Sequence, residues 1–389
     1  MELLNFGPKK LGFGCMRLPM SEGTVGGEGV VDTRQVCAMV DAFLEQGFCY
    51  FDTAHGYIAQ KSEPTVRQCL VERHPRDRYL LTDKLSGTFF QTEEEIRPFF
   101  ESQLEITGAG YFDFYLMHAL NANQYQKFTE CNAFQVAQQL KNEGKIRHVG
   151  ISFHDTPEVL EQILSEHPEI EVVQIQFNYA DLEDPKVQSL AVYEVCRRHG
   201  KPVIVMEPVK GGALANLPEA AGQILDRLQG GSRASYAIRF AASFEGVAMV
   251  LSGMSSLEQM QDNLSYMSSF QPLTQPEQEA VRRAGAVLKN QEAIACTACR
   301  YCEAGCPMRT PFPISSPDLT GKSRAPVPPS TTRQRCQMGT AGPPAALGAC
   351  NAKPSAPSIC RCPPFWRKSP VSSRLPTKHK EILAYAFIP

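Results

Sequence analysis

The sequence predicts an α/β protein, a closed (β/α)8 TIM barrel over residues 1–290, and three observations support that fold class. Short apolar runs alternate with longer amphipathic ones eight times across about 260 residues, the pattern of a parallel sheet with crossover helices. No glycine-rich G-x-G-x-x-G follows the first apolar run, which argues against a doubly wound open sheet. The chain has 389 residues, 43% of them apolar and 21% charged, which supplies a core of barrel size.

The first strand falls at KKLGFG, near the N-terminus. The others are CYFDT (49–53), YLLTDK (79–84), DFYLMH (113–118), IRHVGIS (146–152), VVQIQFN (172–178), PVIVME (202–207) and VAMVLSG (247–253). Each is short, mostly apolar and rich in β-branched or aromatic residues, as strands buried on both faces are. Between them the apolar period is helical. In VDTRQVCAMVDAFLEQG, Val36, Met39, Val40 and Phe43 share a face, Asp32 is placed to cap the helix and Gly47 to end it. EPTVRQCLVERH, EEEIRPFFESQL, DPKVQSLAVYEVCRRHG and SSLEQMQDNLSYM read the same way. Pro98 predicts that EEEIRPFFESQL turns helical later than its first glutamates, because proline has no N–H and crowds the preceding turn.

Barrels of this kind gather their chemistry at the C-terminal ends of strands. Asp52 ends the second strand, Lys84 the third and His118 the fourth, while Tyr57 lies in the loop beyond Asp52. Singly, an Asp and a Lys on neighbouring strands form a structural ion pair, a loop tyrosine packs, and a histidine is merely hydrogen-bonded. On one rim they make a proton donor. A phenol with pKa about 10 is a poor acid at neutral pH. A buried ammonium within hydrogen-bond reach is expected to lower that pKa, and a carboxylate keeps the ammonium charged. A histidine beside them orients a carbonyl oxygen that gains negative charge.

FDTAHGY, the strand-end lysine and the DFYLMH histidine resemble the aldo/keto reductases, and VGIS, VQIQFNY, MEPVKGG and VLSGMSSLEQMQDNL follow in that family's order. The resemblance covers about residues 5–290. It implies an NAD(P)H-dependent oxidoreductase acting on a small-molecule carbonyl or alcohol, with Asp52, Tyr57, Lys84 and His118 as catalytic tetrad and Tyr57 as general acid. It also implies that Ser152 and Gln174 hold the nicotinamide, and that Gly253, Ser255 and Asn263 lie near the adenine end. Phe153 stands where many members have asparagine. Gln259 stands where many have the arginine that grips the 2′-phosphate of NADP, and Lys210 is a candidate to supply positive charge instead.

Residues 296–307 read CTACRYCEAGCP, a C-x2-C-x2-C-x3-C-P run formed by Cys296, Cys299, Cys302 and Cys306. This is the ligand run of bacterial ferredoxins. Structural zinc is the rival, but its sites normally pair two C-x2-C hooks across a longer loop. The run is similar to the C-terminal module of a bacterial subset of the same family, which implies a truncated ferredoxin-like 4Fe–4S segment over 291–308. At most one cluster is expected, because Cys350, Cys360 and Cys362 are spaced wrongly for a second run.

Residues 309–389 differ from the rest, with 12 Lys+Arg against two Asp+Glu and 15 of the 29 prolines. They read as a disordered linker or, by preference, as an out-of-frame translation that replaces the second cysteine run. Their basic residues are scattered singly among Pro and Ser, which does not make a nucleic-acid surface. The six cysteines before the cluster read as core thiols in a reducing cytosol.

No run of about 18 apolar residues predicts a membrane helix, and MELLNFGPKK lacks the basic and apolar regions of a secretory signal. A cytoplasmic enzyme is expected. The competing class is an iron–sulfur electron-transfer or regulatory subunit that keeps the barrel without significant turnover. Nicotinamide moves two electrons together and a cluster one at a time, so that class needs a flavin or a redox partner between them. The intact set of four polar residues favours the enzyme.

Overall fold

Apolar runs become strands where both of their faces can be covered, and the computed structural model, which describes residues 4–27 and 29–289, places all eight expected runs in strands. β1 (Leu11–Gly14) leads through a hairpin, β2 (Met20–Gly23) and β3 (Gly29–Val31), into α1 (Thr33–Glu45). β4 (Tyr50–Asp52) precedes α2 (Ser62–Val66), which continues as a π-helical turn over Arg67–Val71. β5 (Leu80–Ser86) is followed by α3 (Glu93–Thr107), and β6 (Phe112–Leu120) by α4 (Ala122–Glu130) and α5 (Ala133–Asn142). Next come β7 (Ile146–Phe153), α6 (Pro157–Glu166), β8 (Val172–Gln176) and α7 (Ser189–Arg198). β9 (Val203–Met206), α8 (Glu219–Asp226), α9 (Arg233–Ala242), β10 (Val247–Ser252), α10 (Leu257–Met267) and α11 (Gln275–Lys289) complete the order. The cysteine run at 296–306 and the tail from 309 lie outside the described residues.

Apart from the hairpin, the strands close into one parallel barrel in the order β1-β10-β9-β8-β7-β6-β5-β4, with β4 returning to β1. Parallel neighbours need crossover connections, and the helices supply them. Tyr50, Phe114, Leu116, Val172, Ile204, Met249 and Leu251 fill the interior, and Leu4 and Phe6 pack over them from the N-terminal side. Phe6 stacks on Phe114 with ring centroids 5.1 Å apart. Packing is tight enough at Gly150 that a Cβ would sit 2.6 Å from the Val172 carbonyl oxygen, so only glycine fits there.

Asp32 caps α1 as its sequence predicts, accepting from the Gln35 N–H at 3.0 Å. Pro98 does not delay α3, which starts at Glu93. Three glutamates in the first turn favour the positive helix end. Pro98 lies on the exposed face of the helix, away from the core. The hairpin was not legible, because MSEG and GVV are short and show no apolar alternation. The six cysteines within the described residues are free thiols; Cys15, Cys69, Cys131 and Cys196 are buried, and Cys37 and Cys49 only half-buried. Among the described residues no helix is long and apolar enough to cross a membrane.

Candidate active site

β4, β5 and β6 are neighbours in the barrel, and their upper ends bring Asp52, Lys84 and His118 onto one rim. β5 and β6 run two residues beyond the positions expected to end them, and Ser86 lies in register with His118. Tyr57 sits in the loop after β4, its N–H bonded to the Ala54 carbonyl at 3.0 Å. Ile58, Ala59 and Gln60, which follow it, all have positive φ (52°, 49° and 67°). Left-handed conformations cost energy in non-glycine residues, and such runs persist where the surroundings enforce them. Here the run turns the chain back so that the Lys61 and Ser62 N–H groups reach the Tyr57 carbonyl at 3.2 and 3.3 Å.

Lys84 is fully buried, and its ammonium spends each of its three hydrogens on one acceptor. Asp52 Oδ1 lies at 2.5 Å, the Thr53 carbonyl at 2.8 Å and the Tyr57 hydroxyl at 3.2 Å. An ammonium only donates, so the Tyr57 oxygen is the acceptor and its own hydrogen points elsewhere. Across the barrel, Gln174 of β8 donates to Asp52 Oδ2 at 2.9 Å. His118 Nδ1 shares a 2.6 Å hydrogen bond with Ser86 Oγ, and its ring stands edge-on to Tyr57 with centroids 5.9 Å apart.

The electrostatics correct one expectation. The Tyr57 pKa is raised well above the ordinary phenol value, not lowered, because burial of the hydroxyl dominates and Asp52, Asp83, Cys15 and Glu207 add to it. Burial of the hydroxyl outweighs the Lys84 ammonium, two of whose hydrogens go to Asp52 and the Thr53 carbonyl. His118 is held well below the usual imidazole range, by burial first and by the Lys84 charge second, so its ring is neutral.

The residues expected to hold a nucleotide line the next arc of the same rim. Ser152, next to last in β7, lies in register with Gln174, and its hydroxyl is buried without a hydrogen-bond partner among the described residues. Gly253 and Ser255 follow β10. Ser255 donates through its N–H to Gln259 Oε1 at 2.7 Å and through its hydroxyl to the Arg17 carbonyl at 2.8 Å. Asn263 is buried and bonded to Ser252 at 2.7 Å and to Tyr266. Lys210 is paired with buried Asp181, which Gln176 and Asn178 also hold at 2.8 and 2.7 Å.

Sequence reasoning missed Ser86, Arg17 and Glu207. Arg17 packs along Gly253 and approaches Glu207 to 3.8 Å. Its only signal was a basic residue just beyond the first strand. Among the described residues no three His, Cys, Asp or Glu side chains converge as metal ligands do.

The model of the aldo/keto reductase family matches residues 10–286. The chain belongs to the aldo/keto reductase family. It is accordingly an NAD(P)-dependent oxidoreductase of that type. In fold this aldo/keto reductase resembles one from Klebsiella pneumoniae solved in complex with NADPH, at 21% identity and a TM-score of 0.56, over 70% of this chain and 90% of that one. It also resembles one from Bacillus halodurans in its holo form, at 24% identity and a TM-score of 0.57, over 71% of this chain and 91% of that one. No curated protein sequence matches it.

Proposed function

We propose that this aldo/keto reductase moves hydride between NAD(P)H and a small carbonyl or alcohol, with Tyr57 as general acid, Lys84 and Asp52 as its charge partners and His118 orienting the substrate oxygen. The observation that carries this reading is the donor-only ammonium of Lys84 on the Tyr57 oxygen, 3.2 Å away. It leaves the phenol proton free for a carbonyl at the rim. As that carbonyl oxygen gains negative charge, Tyr57 gives up its proton and Lys84 steadies the phenolate that results. The raised Tyr57 pKa keeps the phenol protonated at neutral pH, which suits reduction. Alcohol oxidation needs the phenolate and belongs at higher pH.

When bound, NAD(P)H supplies the hydride. The partnerless hydroxyl of Ser152 fits a carboxamide, which both donates and accepts, and Gln174 beside it holds Asp52 in place. Gly253, Ser255, Gln259 and Asn263 are proposed for the adenosine end, with Arg17 nearby. The test is anaerobic oxidation of NADH and NADPH against a panel of aldehydes, ketones and quinones. Turnover on none of them would reject the reading.

Cys296, Cys299, Cys302 and Cys306 are proposed, on their spacing alone, as ligands of a single 4Fe–4S cluster. No step of the hydride transfer passes through it. A cytoplasmic location is part of the same proposal.

A further inference from the structure

On the side of β5 that faces the helices lies a second set of buried acids, which hydride transfer leaves unused. Asp83, next to Lys84 in β5, and Glu63 of α2 are both fully buried. Gln103 of α3 joins them: its Nε2 lies 3.0 Å from Glu63 Oε1, 3.1 Å from Asp83 Oδ1 and 3.2 Å from the Lys84 carbonyl oxygen. The Lys84 carbonyl only accepts, which turns the amide N–H to that side, and the Tyr115 hydroxyl donates to Gln103 Oε1 at 2.5 Å. Asp83 Oδ1 also accepts from the Lys84 backbone N–H at 2.8 Å. Both backbone groups of Lys84 are therefore held from outside the barrel, the N–H by Asp83 and the C=O by Gln103.

The network is short of donors. Gln103 Nε2 has two hydrogens for three acceptors. Glu63 Oε2 is served by His55 Nδ1 at 2.7 Å, but Asp83 Oδ2 is buried with no donor. That oxygen belongs to a carboxyl gathered with Glu63 on one amide nitrogen, Asp83 Oδ1 at 3.1 Å and Glu63 Oε1 at 3.0 Å from Gln103 Nε2, with both residues fully buried. Two ionised carboxylates gathered on one amide nitrogen and out of water repel strongly, and one proton relieves both the repulsion and the orphan. The other titratable groups facing the pair are His55 and Tyr57 from the loop after β4, Lys84 on β5 and Tyr115 on β6.

We propose that Asp83 and Glu63 share one proton, and that this acid–carboxylate pair is a positioning unit holding the strand behind Lys84. The positioning role rests on the reading of Lys84 as the partner of Tyr57, whereas the shared proton stands without it.

Infrared difference spectroscopy of the full chain reads the proton directly. A protonated-carboxyl C=O band is expected at neutral pH that shifts in deuterated water and is missing from Asp83→Asn and from Glu63→Gln. Asparagine at 83 keeps an oxygen for the Lys84 N–H and turns an N–H toward Glu63, as the protonated acid does. Asp83→Asn should therefore keep kcat within about three-fold, while Asp83→Ala loses about 10²-fold in kcat with the nucleotide KM almost unchanged. Stability provides a second readout. Burial first and Glu63 second raise the Asp83 pKa well above the carboxylate range, so the native protein should lose stability as pH rises from the ordinary carboxylate value through the folded pKa. Asp83→Asn should abolish that part of the slope.

The shared proton is overturned by an absent carboxyl band, by a band that survives both substitutions, or by equal pH slopes in the native protein and Asp83→Asn. The positioning role is overturned if Asp83→Ala matches Asp83→Asn in kcat. Should Asp83→Ala fail to fold, Gln103→Met, which removes the donor to the Lys84 carbonyl, takes its place with the same loss expected. Turnover that survives Tyr57→Phe and Lys84→Met would instead reject the hydride-transfer assignment, and the infrared band would be untouched by that result.

Discussion

Tyr57 is the residue on which the chemistry turns, because its hydroxyl is the one group on the rim with a proton held ready by an ammonium. Tyr57→Phe should lower kcat by at least about 10²-fold and leave nucleotide affinity almost unchanged; steady-state kinetics with nucleotide titration checks both. Lys84→Met should be at least as damaging, since it also leaves Asp52 buried without its cation. A second expectation concerns cofactor choice. Gln259 is turned back onto the Ser255 N–H, and Lys210 is committed to Asp181. Neither is set to grip a 2′-phosphate, so NADH should be used at least comparably to NADPH. An NADPH preference above about 100-fold, or about 2.7 kcal/mol, would mean another cation does the gripping, with Arg17 the first to mutate. Asp52, Lys84 and His118 were legible because a strand-end position can be read from apolar runs. The rise in the Tyr57 pKa was not, because the sequence does not show how deeply its hydroxyl is buried. Ser86 was hidden for another reason: its role comes from the register of β5 on β6, and register is not visible in either strand alone.

The elements divide along the same line. Long amphipathic segments such as α1 announced themselves through period and cap, and α11 carries a comparable signal, with Glu277 reaching back to the Thr274 N–H at 2.7 Å. The β2–β3 hairpin and the π-helical turn at Arg67–Val71 carry no such period, and their form depends on what they pack against. α3 offers a direct test of an overridden rule. Pro98 leaves the Glu94 carbonyl without its helical partner, so Pro98→Ala should restore that bond and stabilise the protein by about 1–2 kcal/mol. Part of the gain is offset because proline also restricts the unfolded chain. Chemical denaturation of the two proteins decides it, and equal midpoints would show that the helix bends to absorb the proline at no cost.

At the scale of the whole molecule, the eight strands close into a barrel within the described residues, and the sequence carries a single C-x2-C-x2-C-x3-C-P run beyond them. Anaerobically reconstituted protein should therefore bind at most one 4Fe–4S cluster, about four irons per chain. Iron and acid-labile sulfide analysis with electron paramagnetic resonance measures this, and two magnetically coupled clusters would show that later cysteines serve as ligands. Serine at all four run positions should abolish iron binding while leaving the circular dichroism of the barrel unchanged. The barrel also has a floor: Leu4 and Phe6 cover its N-terminal end, with Phe6 stacked on Phe114. That floor bears on isotopes. With one end closed, the buried protons of Lys84 trade with solvent through the rim alone, the same opening that nucleotide and substrate must use. Filling the opening should then slow hydrogen–deuterium exchange at Lys84, while Phe6→Ala, which leaves the packed side chains between floor and rim in place, should not change it.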